Sequence, residues 1–134
     1  MNKKFWLGVA AYVLPTFPLG YLWHLTWFAP QYQALQIYRP DLIFLLGLFA
    51  IIVQGMLLSW LYPKVVSSDA RSSWLRSGLI FAAGVGLFAW TFSTVAVAAK
   101  NIMTSVPLFL ALETGFTILH YSIVGPLIAL AHRR

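Results

Sequence analysis

The chain has 134 residues, 60% of them hydrophobic and 9% charged, with a mean hydropathy of +0.80. A soluble domain carries roughly 25% charged residues, and a core of this size cannot hide so much apolar surface, so lipid is the solvent for most of the chain. The net charge of +6 sits at the ends of apolar segments, which argues against a nucleic-acid partner, and the lack of cysteine excludes disulfides, thiolate catalysis and cysteine-ligated metal centres.

The N-terminal MNKKFWLGVAAYVLPTFPLG has the positive start and apolar run of a signal peptide. The run continues to Trp27 without a small-x-small cleavage site, so residues 5–28 read as an uncleaved first span. Pro15 and Pro18 inside it lack amide donors and are expected to kink the helix and free carbonyls near mid-membrane. The stretch APQYQALQIYRPD (29–41), bracketed by Pro30 and Pro40, is expected to lie along the interface as a short helix or lid. A second span covers 42–62, with Gln54 as interhelical glue, and the polar loop KVVSSDARSS comes next.

The third span, 74–98, repeats small residues at Gly78, Ala82 and Gly86, a stripe that lets another helix approach closely. The fourth, 106–131, begins with a second small pair, Ala111 and Gly115. All four segments meet the length of about 20 apolar residues needed to cross hydrocarbon. Unpaired backbone groups are not tolerated there, so each must be a helix. Seven Lys or Arg flank the termini and the loop after span two, against Arg39 and Lys100 in the other two loops. By the positive-inside rule both termini face the cytoplasm, and Trp6, Trp60, Trp74 and Trp27 fall near the two interfaces.

The informative polar residues lie at membrane depth. In "LALETGFTILHY" (110–121), Glu113, Thr117 and His120 share one helical face. At about 1.5 Å per residue, Glu113 and His120 are about 10 Å apart along the axis and belong to two layers. The outer layer, about 6–10 Å deep, brings together His24, Glu113 and Thr91, with Ser93 and Thr94 slightly shallower. The deeper layer, at roughly 18–24 Å, holds Gln54, Thr16, Tyr12 and His120. Intramembrane ionisable groups are costly and mark function by default, whereas a protonated Glu113 acting only as interhelical glue is the plainer alternative. His132 sits among the C-terminal charges and carries no functional weight.

The segments "GYLWHLTWFAPQYQAL", "GVGLFAWTFSTVA" and "ETGFTILHYSIVGPLIAL" resemble the DUF1761 and DUF2177 families of small bacterial four-span membrane proteins. Span three has Thr91, Ser93 and Thr94 where the second family has an Asp and a Thr-Asn pattern. The resemblance implies the architecture and no particular chemistry.

The reading is therefore an all-α membrane protein, a single four-transmembrane-helix bundle over residues 1–134, in the inner membrane with both termini cytoplasmic. A polar pocket opening outward is expected around Glu113, His24, Thr91 and Trp27, with His120 and Gln54 deeper. No cofactor or metal is expected: His24 and His120 differ by about 15 Å in depth, too far for one haem or one ion. The expected function is a small ligand-binding or transport module for an amphipathic or cationic molecule, with Glu113 as charge partner. An accessory subunit of a larger membrane complex is the alternative, and a membrane enzyme comes third. Besides the lipid bilayer, further copies of the chain or a larger complex are the expected partners.

Overall fold

Asn2 opens the first helix, its side-chain oxygen accepting from the Phe5 amide at 3.0 Å and satisfying one of the free donors of the first turn. In the computed structural model, which describes residues 2–133, α1 then runs Lys3–Leu22 and continues into a π-helical turn, Trp23–Trp27. Arg134, part of the terminal charge cluster, lies outside the described residues. A short α2 (Ala29–Leu35) comes next, then α3 (Phe44–Val65) and α4 (Trp74–Trp90). A second π turn, Thr91–Val95, carries α4 into α5 (Ala96–Lys100), and α6 spans Val106–Ala131. All regular structure among the described residues is helical. Four continuous stretches, Lys3–Trp27, Phe44–Val65, Trp74–Lys100 and Val106–Ala131, are long and apolar enough to cross a membrane. Helix α1 is not broken at Pro15 and Pro18; both lie inside it.

The helices pack as an arc: α3 on α1, α1 on α6, and α6 on α4. The tightest seam is α4 with α6. A Cβ placed on Gly78 would lie 2.5 Å from the Pro126 Cα, and one on Gly125 would lie 2.6 Å from the Ala82 Cβ. Gly86 faces the Tyr121 ring, so the stripe Gly78–Ala82–Gly86 packs along α6. Gly115 lies under the Trp23 indole, while Ala111, one turn away, is exposed.

The ends of the arc, α3 and α4, meet at the end of the bundle that carries the termini. There Tyr62 donates to Ser77 Oγ at 2.7 Å, because Ser77 gives its own proton to the Ser73 carbonyl. The Tyr62 ring stands edge-on to Phe81 at 5.1 Å. Tyr12, Val124, Ile128 and Ala129 complete this cluster. At the opposite end α2 folds over the bundle, burying Tyr32 and Leu35 against Phe109 and Leu112. Thr104 fastens it, donating through Oγ1 to the Ala34 carbonyl at 2.6 Å and through its amide to Leu35 at 3.2 Å.

His132 is buried at the terminal end rather than solvated among the charges. Ser59 donates its one proton to the Phe5 carbonyl at 2.7 Å, so His132 Nε2–H must be the donor in the 3.0 Å contact with Ser59 Oγ. Burial, with the Arg71 and Lys4 cations nearby, holds this imidazole below its ordinary range. An unfolded histidine titrates near about 6.5. The contribution of His132 to stability is therefore complete above that value and is lost as pH falls towards the depressed folded value. The detergent-extracted protein is expected to melt at a lower temperature at pH 5 than at pH 7.5. In His132→Gln, whose amide can still donate to Ser59, that difference should shrink; an unchanged difference would remove His132 from the account.

Candidate functional site

The site is built where the two π turns interrupt the α-helices. In a π turn the amide bonds five residues back, and the structure shows this at Phe28 N to Trp23 O (3.1 Å) and at Ala96 N to Thr91 O. Such turns are frequent at functional sites because the extra residue re-aims its neighbours. In the first turn His24 bends back so that Nδ1 donates to the Gly20 carbonyl at 2.9 Å. Its other nitrogen, Nε2, lies 3.0 Å from Glu113 Oε1 on α6.

The protons at this pair can be counted from donor chemistry. Trp23 Nε1–H has no acceptor capacity and donates to Tyr32 Oη at 3.2 Å. Tyr32 in turn donates to Glu113 Oε1 at 2.6 Å. A carbonyl only accepts, so His24 Nδ1 carries a proton for Gly20. One proton is left for the gap between Nε2 and Oε1. Whether it rests on the imidazole or on the carboxyl, the pair is neutral overall, which suits a low-dielectric site. Side-chain exposures of 18% and 16% leave both groups partly open, and Glu113 Oε2 has no hydrogen-bond partner among the described residues. Tyr32 and Tyr38 flank the pair; burial, together with the neighbouring Glu113, pushes both phenols up, so they remain donors. Their rings stack at 5.4 Å, and the His24 ring lies edge-on to Phe116 at 4.6 Å.

Glu113 and His24 form part of the wall of a cavity of about 980 Å³. It occupies the seam where α3 and α4 diverge. Each long helix contributes one face: Phe44, Gly47, Ile51 and Gln54 from α3, for example, recur at helical spacing, as do Gly84 and Phe88 from α4 with Phe92 from the π turn after it. The α3 and α4 walls are mainly apolar, while α1 and α6 carry the polar groups. Below the Glu113–His24 pair, Thr16 Oγ1 and His120 Nε2 are 2.7 Å apart. Tyr12 donates to Gln54 Oε1 at 2.6 Å, linking α1 to α3. The Phe116 and His120 rings stack at 5.4 Å between the two levels.

Of the residues expected at the pocket, the structure brings Glu113, His24, His120 and Gln54 to one cavity and leaves two out. Thr91 is exposed and donates its hydroxyl to the Phe88 carbonyl at 2.8 Å, while Ser93 lines the cavity instead. Trp27, 56% exposed, points away from it. Tyr32, Tyr38 and Trp23 join the site without a signal in the sequence. The prolines bracketing 29–41 suggest a lid, but nothing in that stretch says which tyrosine turns inward. The Thr94 hydroxyl, in the second π turn, is fully buried and has no hydrogen-bond partner among the described residues. No three His, Asp or Glu side chains among the described residues come together as a metal site would need.

No protein-family model, no curated protein and no solved structure matches the chain.

Proposed function

We propose that the protein is a membrane-embedded binding module for an amphipathic molecule, whose apolar body occupies the α3–α4 cavity and whose head group meets Glu113 and His24. The observation that carries this reading is the placement of an acid–imidazole pair in the wall of a large, mainly apolar cavity. Ligand sites of about 300–1,000 Å³ with a few convergent polar groups are the common pattern for small molecules. Because the cavity runs along the seam between two helices, its occupant reaches it sideways from lipid. The positive flanks favour an inner-membrane orientation with both termini in the cytoplasm, which places Glu113 in the outer half.

Native mass spectrometry of the protein gently extracted from its own membrane tests this. A small molecule retained by the native chain should be lost in Glu113→Gln, which keeps the side chain's shape and an oxygen to accept from Tyr32. Retention by the variant would remove Glu113 from the site.

A second reading, an accessory subunit or homo-oligomer, is favoured by the open side of the same seam, where Phe88 and Phe92 are 70% and 68% exposed. A helix from a partner or a second copy would cover them. Co-purifying larger subunits, with the cavity empty of small molecules, is the outcome that selects it.

A further inference from the structure

We propose that the Glu113–His24 pair exchanges its one shared proton for a lipophilic monocation, so that binding such a cation in the cavity releases a proton. This rests on the reading of the cavity as a binding site and adds the charge of its occupant and the proton that its entry displaces.

Three observations select a cation. Among the described residues Glu113 is the only acid in the cavity wall, and no Lys or Arg lines it. Asp41, on the segment before α3, is engaged by Arg39 at 3.2 Å. The rings of Tyr38, Phe44, Phe88 and Phe116 surround the cavity, and aromatic faces attract cations, the more so when water is excluded.

The exchange is a matter of charge balance. The resting pair holds one proton between one carboxylate and one imidazole and is neutral. Adding a monocation to it unchanged would leave a net charge of +1 in a low-dielectric site, which is costly. When the proton leaves, His24 is neutral, with Nδ1–H still on the Gly20 carbonyl, and the carboxylate of Glu113 faces the cation. The site is again neutral. No bond other than the N–H or O–H of the shared proton is broken, and that proton passes to solvent. A neutral amphiphile would displace nothing.

The other titratable groups facing the pair do not supply this proton. Tyr32 from α2 and Tyr38 from the segment after it face Glu113 and stay protonated, held up by burial and by Glu113 itself. His120 on α6 is engaged by Thr16 at the deeper level. Tyr12 and Tyr21 of α1 and Tyr121 of α6 are the remaining titratable wall residues, and the described residues of α3 and α4 present none to the cavity.

The test is calorimetric titration of the full-length protein in lipid nanodiscs with tetraphenylphosphonium, a monocation without hydrogen-bonding groups. Repeating it in two buffers of different ionisation enthalpy counts the protons released. About one proton per cation is expected, with affinity falling about tenfold for each pH unit by which the medium is acidified while the pair holds its proton. Glu113→Gln should lose both the proton release and most of the affinity. Gly84→Trp, which leaves the pair intact and narrows the cavity, should weaken binding while each cation that still binds releases about one proton. Cation binding with no proton release and a flat pH profile would overturn the exchange and leave the binding reading standing. So would failure to bind the cation while a neutral amphiphile still binds. Binding of neither would overturn both.

Discussion

Tryptophan at Gly84 is expected to weaken retention of any cavity ligand at least tenfold, about 1.4 kcal/mol, while the melting temperature stays level or rises. A Cβ at Gly84 meets nothing within 4 Å, and the same is true of Gly20 and Gly47. These three glycines come from three different helices, and all three line the cavity. In a helix interior glycine is about 1 kcal/mol less favourable than alanine, yet here no neighbouring side chain approaches close enough to require it. What each leaves behind is space. An indole at position 84 starts from an unobstructed Cβ and takes that space from the ligand. Gly47→Trp should act alike from the opposite wall. Unchanged binding in both variants would place the ligand elsewhere on the protein.

Valine at Gly78, six residues earlier on the same helix, should have the opposite effect, destabilising the bundle by about 3 kcal/mol or more. Here the added Cβ would lie 2.5 Å from the Pro126 Cα, 2.8 Å from its nitrogen and 2.9 Å from the Gly125 carbonyl oxygen. All three atoms are backbone, so no rotamer change relieves the clash, and α4 must move off α6. Loss of that seam also displaces Tyr121, which packs on Gly86 and lines the cavity. Thermal melts in detergent, with Gly84→Val as the matched control, check the contrast. Equal stability of the two variants would mean that α4 and α6 are not held at the separation described.

The four spans are legible in the sequence because the length rule is stringent and lipid leaves a backbone no alternative to the helix. The small-residue stripe is legible for a related reason: Gly78, Ala82 and Gly86 fall on one face, and only contact gives such a face a purpose. Depth counting also works where a helix is regular, so that Thr16, His120, Tyr12 and Gln54 fall at similar levels. At the π turns it still pairs His24 with Glu113, but it does not give which way the other residues face. "WHLTW" and "TFSTV" contain no glycine or proline to announce an inserted residue, and one extra residue rotates the rest of the helix by about 100° relative to an uninterrupted α-helix. Thr91 and Trp27 lie in these two turns, and both face away from the cavity. His132 departs from expectation for a different reason. Its neighbours Arg133 and Arg134 suggest water, but the partner that buries it, Ser59, is more than seventy positions distant in the chain and carries no signal of its own.

The uneven anchoring of α3 has a mechanical consequence. Tyr62 fixes this helix to α4 at one end, whereas Phe44 at the other end borders the cavity. Eighteen residues separate the two, a lever arm of about 27 Å at 1.5 Å per residue. Pivoting α3, together with the α1 it packs on, about Tyr62 by about 5° shifts Phe44 by roughly 2.4 Å on that rise, while the aromatic contact at the fulcrum hardly moves. If the cavity is the binding site proposed above, the angle at which α3, with the α1 it packs on, stands to α4 would set how bulky a guest the seam admits.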